Sequence, residues 1–545
     1  MGVCVLKSLS TNRVTFILAL FFVTVFNIPF FSIVKHGLEN QSHVDPFFVA
    51  TIPVFMVAAL GFLFSVFSIK YLLKPFFIVL ILLSSSVFFA AYKYGVVFDT
   101  GMIENTFQTN SAEAFTYVNW ASIGNFLLTG LLPAWLLYKA DIVYQPLTKE
   151  LLHKVIFMVA NLAVVLLIAF GFMQNYASFV RNNDQIKHYI VPTYFIGSAS
   201  KYVYQNYLQT PITYQQLGTD ATVVKSAAAA SEKPKLLVLV VGETARAMNY
   251  EYYGYQRPTN AYTKDLGLIA FDKVRSCGTA TAVSLPCMFS RMDRKNYNGR
   301  RAKAQDTAVD VLHHAGVNVL WVENDSGCKG VCDRVPSYTI NVDMDSALCD
   351  GEFCQDQVMV DKLDEVLSAK DLPLQDRLIV LHIVGSHGPT YYRRYPEQHR
   401  KFTPDCPRSD IQNCSHDELV NTYDNTILYT DYVLSEVVKR LQQQQRYAPA
   451  MMYLSDHGES LGEKGLYLHG TPYSIAPAEQ TTVPWLTWMS DSYAASNGLQ
   501  SHCLDGLQLR RGYSQDNLFD TLLGLFNVNS SVYQSQKDIF RQCRS

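Results

Sequence analysis

The stretch "YLSDHGES" (453–460) sets a carboxylate and an imidazole, Asp456 and His457, side by side at the end of an apolar run. A buried pair of this kind is costly unless a positive charge compensates it, and a metal ion does so with the donor types present. A second apolar run, "LLVLVVG" (236–242), ends directly on Glu243. Two carboxylates and an imidazole from separate strand ends make a zinc shell with one position left. Glu243 has a plainer alternative, capping a helix opened by "ETARAMN". The remaining position points to "SCGTATAVSLPC" (276–287), a small, threonine-rich stretch bracketed by Cys277 and Cys287. Composition leaves Thr279, Thr281 and Ser284 equivalent there. A hydroxyl becomes a useful nucleophile once a base or metal lowers its pKa, and the same ion offsets charge on a transferring phosphoryl group. The rival use of that stretch is a capped helix N-terminus pinned by a disulfide, itself suited to phosphate. His387 in "GSHGPTYYRRYP" and His469 in "YLHGTP" each follow an apolar run into a glycine turn, so both are candidates for a second metal, acid help or substrate contact. His382 lies inside its run and reads as core; His313 and His314 read as helix surface.

Positioning these groups requires strands that end at one edge. Four near-continuous apolar runs, at 236–242, 317–322, 377–386 and 448–455, suit central strands covered on both faces. Helical spacing in "TAVDVLHHAG" and "NTILYTDYVLSEVVKRLQQQ" lies between them. The sum is an α/β domain with a mostly parallel sheet, whose sites gather beyond the carboxyl ends of the strands.

The N-terminal third is of another kind. Segments 14–34, 47–69, 75–92, 118–138 and 155–173 are apolar and free of Asp, Glu, Lys and Arg, and each is long enough to span a bilayer. Lys7, Arg13, Lys70, Lys74, Lys139, Lys149 and Lys154 fall in one set of loops, while Asp99, Glu104 and Glu113 fall in the other. The bias puts the N-terminus in the cytoplasm and everything after the fifth span across the membrane. Ten of the eleven cysteines lie beyond the spans and Cys4 precedes them, the distribution of a disulfide framework on the oxidising side. Pairing neighbours gives Cys277–Cys287, Cys328–Cys332, Cys349–Cys354, Cys406–Cys414 and Cys503–Cys543. The chain divides into 1–175, five membrane helices; 176–234, tyrosine-rich interfacial bridging helices and a small polar linker; and 235–545, the catalytic domain. With 45 basic against 47 acidic residues the formal charge is −2, so no basic excess argues for nucleic acid.

In order and spacing, "VVGETARAMNYEYYGYQRPTN", "SCGTATAVSLPCMFS", "LHIVGSHGPTYYRRYP" and "YLSDHGESLGEKGLYLHGTPY" resemble the lipid A phosphoethanolamine transferases of Gram-negative bacteria, in the alkaline phosphatase and sulfatase superfamily. The resemblance covers essentially the whole chain. It implies zinc held by Glu243, Thr281, Asp456 and His457, with Thr281 the nucleophile, and a second metal or substrate contact at His387, His469 and Glu459. It implies substrate contacts at Ser326 and Lys329 in "NDSGCKGVC", and at Asn105, Thr109 and Glu113 in "ENTFQTNSAEA", a loop reaching the active site. The implied reaction moves phosphoethanolamine from phosphatidylethanolamine to Thr281 and then to a lipid A phosphate, by an inner-membrane enzyme with a periplasmic catalytic domain; a monomer is expected, though nothing in the residues fixes the oligomeric state. The added amine weakens attraction of polymyxin and other cationic peptides. The competing expectations are a transferase acting on a core sugar or glycan, and an inactive membrane sensor or scaffold.

Overall fold

The computed structural model describes residues 8–39, 45–109, 111–224, 233–344, 346–369, 374–507 and 512–544; Cys4 lies outside them. Two compact units emerge, one from 1–99 and 118–201, the other from 100–117 and 202–545.

The first unit is helical. Pro46–Phe67, Leu73–Tyr94, Trp120–Lys139 and Leu147–Gly171 are each long and apolar enough to cross a membrane. The expected first span, 14–34, is instead two helices, Thr11–Phe26 and Ile28–Leu38, bent by 59°. The break sits at Asn27, whose amide nitrogen donates to the carbonyls of Phe22 (2.9 Å) and Val191 (2.7 Å), while its Oδ1 accepts from the Val191 amide (3.0 Å). These bonds satisfy the backbone groups that a broken apolar helix would otherwise orphan. Phe22, Phe26, Phe64 and Phe77 pack edge to face at its core.

The second unit is built on a seven-stranded sheet. We label its strands β1 (Lys235–Gly242), β2 (Ile269–Arg275), β3 (Asn318–Glu323), β4 (Ser337–Thr339), β5 (Arg377–His382), β6 (Ala448–Ser455) and β7 (Thr482–Met489). Their spatial order is β2-β7-β6-β1-β5-β3-β4. Strands β6, β1, β5, β3 and β4 run parallel, and β7 and β2 add an antiparallel edge. Every residue of β1, β5 and β6 is buried, which explains apolar runs without alternation. Leu237, Leu239 and Val241 join one core with Val309 and Leu312 of the helix Ala308–His314 and Leu522 and Leu523 of the helix Leu518–Leu525. Leu236, Val238 and Val240, on the opposite face, are equally buried. The ten cysteines beyond the helical unit pair with their neighbours, Cys277–Cys287, Cys328–Cys332, Cys349–Cys354, Cys406–Cys414 and Cys503–Cys543.

Candidate active site

Strands β1 and β6 are parallel neighbours with Gly242 opposite Ser455. The residue after the first is therefore Glu243, and those after the second are Asp456 and His457, so one sheet edge delivers all three side by side. All are fully buried. Glu243 caps no helix; the chain beyond it runs into short 3-10 turns. Ligand atoms of Glu243, Asp456 and His457 lie within 4.8 Å of one another. His457 Nε2 is 3.3 Å from Glu243 Oε1 and 3.3 Å from Asp456 Oδ2.

The imidazole tautomer follows from its other nitrogen. Nδ1 lies 3.0 Å from the Gly458 carbonyl, which can only accept, so Nδ1 carries the proton and Nε2 turns a lone pair toward the two carboxylates. Glu243 Oε1 and Asp456 Oδ2 are buried without a hydrogen-bond donor. Three acceptors facing one point repel unless a cation stands between them, and the donor set suits zinc. The electrostatics agree: burial first, then Asp456 and Asp325, push the Glu243 carboxyl well above the ordinary range. A cation placed among these ligands would favour its ionised form.

The loop closed by Cys277–Cys287 leads into the helix Thr281–Met288. Its three candidate hydroxyls are not equivalent in space. Thr279 Oγ1 donates to the Thr471 carbonyl (2.7 Å), and Ser284 Oγ donates to the Asp456 carbonyl. Thr281 Oγ1 lies 3.1 Å from Glu243 Oε2 and 3.5 Å from His457 Nε2. Two glycines permit the close approach. A Cβ on Gly385, at φ +52°, would sit 2.8 Å from the Glu243 carbonyl oxygen, and one on Gly458 would overlap the Glu479 carbonyl. Thr244 and Leu468, each next to a site residue, hold left-handed φ of 52° and 63°, strain of the kind stored at functional sites.

A second tier lies alongside. The His469 ring centroid is 4.5 Å from that of His457 and 5.6 Å from that of His387. Glu459 Oε2 accepts from His469 Nδ1 at 3.0 Å, while Tyr391 donates to Oε1 at 2.8 Å. Burial pushes Glu459 up to about 8. Arg394, buried against the Phe353 ring, donates to the His387 carbonyl at 2.9 Å.

Beyond β3, Lys329 Nζ donates to the Ser326 carbonyl and Oγ, both at 2.8 Å, and Ser326 Oγ donates to Asp325 at 2.9 Å. Asp325 was not singled out from sequence. Its ligand atom lies within 4.8 Å of those of Glu243 and His382. Burial alone would raise its pKa, but His382, His387 and Lys329 outweigh that and hold it at about 2. The strand-end rule that marked Glu243 and Asp456 would have found it in "VEND". His382, read as core, is buried and paired through Nδ1 with Glu323 at 2.9 Å.

The segment 100–117 belongs to this unit rather than to the helical one. Its helix Thr100–Gln108 packs against the Thr281–Met288 helix, and Met102 approaches Gly470, the residue after His469. Asn105 is buried there, and Thr109 donates to its carbonyl through Oγ1 at 2.8 Å. The Glu113 side chain lies outside the described residues.

With that geometry in hand, comparisons with known proteins are specific. The sulfatase family profile matches residues 235–528, and the profile described as phosphoethanolamine transferase EptA/EptB matches 56–207. The chain is 39% identical over 550 residues to phosphoethanolamine transferase EptA of Escherichia coli K12, covering 99% of this chain and 98% of the relative. Among solved structures it resembles the integral membrane protein lipooligosaccharide phosphoethanolamine transferase A (EptA) from Neisseria meningitidis, with a TM-score of 0.94, 36% identity and coverage of 99% and 100%. It also resembles the C-terminal periplasmic domain of phosphoethanolamine transferase EptC from Campylobacter jejuni, with a TM-score of 0.53, 45% identity and coverage of 61% and 99%. A buried carboxylate-imidazole cluster facing a threonine at one sheet edge, joined to a helical membrane unit and matched end to end, places this chain in the EptA family of lipid A phosphoethanolamine transferases, within the sulfatase and alkaline phosphatase superfamily.

Proposed function

We propose that the chain transfers phosphoethanolamine from phosphatidylethanolamine to a lipid A phosphate through Thr281. The observation that carries this reading is the placement of Thr281 Oγ1, 3.1 Å from Glu243 Oε2 and 3.5 Å from His457 Nε2, while its two rival hydroxyls are spent on backbone carbonyls. Glu243, Asp456, His457 and Thr281 would hold one zinc ion. When bound, it supplies Lewis-acid charge that favours the ionised hydroxyl and offsets charge building on the phosphoryl group.

The chain's own groups do the rest. Thr281 Oγ, hydrogen-bonded to Glu243, attacks the donor phosphorus; the bond to the glycerol oxygen breaks and diacylglycerol leaves with a proton. His469, oriented by Glu459 and with its ring 4.5 Å from that of His457, and His387 beside it are assigned to supply that proton or to bind a phosphoryl oxygen. A lipid A phosphate oxygen then attacks the phosphothreonine, and the Thr281 oxygen leaves and recovers its proton. Ser326, Lys329, Asn105, Thr109 and Glu113 are assigned to the substrate headgroup, and a second ion at His387 and His469 is an extension of the same reading.

The catalytic domain is periplasmic, and we infer an inner-membrane, multi-pass chain with a cytoplasmic N-terminus. We assign the membrane helices to 1–175, apart from 100–117, which packs with the catalytic unit, the bridge to 176–234 and the catalytic domain to 235–545. Anchoring suits a reaction between two lipids, since extracting either costs about 0.8 kcal/mol per buried CH₂. Intact-mass analysis of lipid A from cells with and without the chain is the test. A phosphoethanolamine increment that Thr281→Ala abolishes is expected, along with lower polymyxin sensitivity; an increment on the core sugar alone would reassign the acceptor.

A further inference from the structure

The segment after the Thr281–Met288 helix, "SRMDRKNYNGRRAK" (290–303), carries Arg291, Arg294, Lys295, Arg300, Arg301 and Lys303 against one acid, Asp293. In a chain of net charge −2 that concentration is local. Some of these cations are committed. Arg291 pairs with Asp520, Lys303 with Glu104, and Arg300 donates to the Thr210 carbonyl at 2.8 Å. Lys295 and Arg301 are exposed and carry no ion pair among the described residues. The segments that Arg300 and Lys303 hold, around Thr210 and Glu104, expose apolar side chains: Tyr207 and Leu208 are 71% and 72% exposed, and Phe107, stacked on Tyr202 at 5.3 Å, is 69% exposed. Cations bordered by exposed rings and an aliphatic chain fit a lipid whose headgroup carries phosphate.

The patch also reaches the reacting loop. Arg294 rests 4.1 Å from the Tyr473 ring centre, and Tyr473 donates to the Ser276 carbonyl just ahead of that loop. Gly470, three residues before Tyr473, donates to the Thr279 carbonyl. We propose that this face docks the acceptor, binding one anionic group of a multiply phosphorylated lipid while another is presented at Thr281. Charge selects the acceptor, because phosphatidylethanolamine has no net charge to offer. The proposal rests on the transfer reading above.

The test uses the purified full chain in mixed micelles with lipid A carrying two phosphates as the titrated probe. For Lys295→Gln with Arg301→Gln, the half-saturating acceptor fraction is expected to rise about fivefold per charge removed. The maximal rate and the rate of Thr281 adduct formation from phosphatidylethanolamine are expected to hold. Lys295→Arg with Arg301→Lys is expected to match the unsubstituted chain, and the Gln pair is expected to lose its effect on lipid A bearing a single phosphate. An unchanged half-saturation, or an equal fall in adduct formation, would overturn the docking face. Absence of any adduct in the unsubstituted chain would instead sink the transfer reading and leave the two failures distinct.

Discussion

At the residue scale, the proposed zinc site is a set of buried acceptors from Glu243, Asp456 and His457, and in that proposal Thr281 is the group whose reactivity the ion would set. Thr281→Ala removes one of the four proposed ligands but leaves Glu243, Asp456 and His457 in place, so zinc content is expected to survive while the phosphoethanolamine adduct disappears. Thr281→Ser keeps the oxygen and is expected to retain measurable transfer. Intact mass and metal analysis of the same preparations read both outcomes; an adduct found on Ser284 would reassign the nucleophile. Asp431 shows how a buried acid elsewhere acts on stability. Asn260 donates to it at 3.1 Å and the Tyr262 amide at 2.8 Å, and Thr263 donates through both its hydroxyl and its amide. Burial nevertheless outweighs these donors and raises its pKa to about 6. An unfolded Asp titrates near 3.9, so between about pH 4 and pH 6 the native state holds the extra proton. Its contribution is full below that window, is lost as pH rises through it and is flat above it. Asp431→Asn is therefore expected to remove a falling component of apparent Tm between pH 4 and 6, while lowering stability by presenting its NH₂ to donors. A wild-type profile with no such component relative to the variant would refute the assignment.

At the element scale, what was legible in the sequence tracks burial. Strands β1, β3, β5 and β6 announce themselves as apolar runs because helices and neighbouring strands cover both faces. Strand β2, "IAFDKVR", exposes charges at the sheet edge, and β4 is three exposed residues. Strand β7 contains Pro484, which argues against a strand, yet the register shifts between Val483 and Trp485 and absorbs the missing donor. The proposed zinc ligands Glu243, Asp456 and His457 could be singled out because each follows a legible strand, whereas composition leaves Thr281, Thr279 and Ser284 equivalent and only their positions in space tell them apart. Asn27 was hidden because apolar composition reports length and not continuity. Disulfides show the same dependence on context. In the chain-entropy view, closing the 40-residue separation of Cys503–Cys543 stabilises by about 4 kcal/mol, and the 5-residue separation of Cys349–Cys354 by about 2 kcal/mol. Replacing the first pair by serine is expected to lower the apparent Tm of the catalytic unit further than replacing the second. Equal losses would mean that native-state packing, and not loop closure, sets the difference.

At the scale of the whole molecule, the catalytic unit is not simply the chain after the last membrane helix. It recruits 100–117 from between two membrane helices, and the helix Thr100–Gln108 covers part of the Thr281–Met288 helix. The Thr281 helix is also held by the Cys277–Cys287 loop, by Ser284, which donates to the Asp456 carbonyl, and by Gln515, which accepts from the Cys277 amide at 2.6 Å. A fragment spanning 218–545 keeps the sheet, the five disulfides and the Glu243, Asp456 and His457 cluster, so it is expected to fold and bind zinc. It lacks the covering helix, together with Asn105, Thr109 and Glu113. Misplacing a reacting group by about 1 Å can cost about 100-fold, so adduct formation from a short-chain, water-soluble phosphatidylethanolamine is expected to slow by tenfold or more relative to the full chain. The soluble donor matters, because it removes extraction from a bilayer as an explanation for the difference. Restoring the 100–117 segment in cis, by fusing it ahead of residue 218, is expected to recover part of the rate. If fragment and full chain react equally fast with that donor, the segment between the membrane helices has no part in placing Thr281, and its packing against the Thr281–Met288 helix is structural alone.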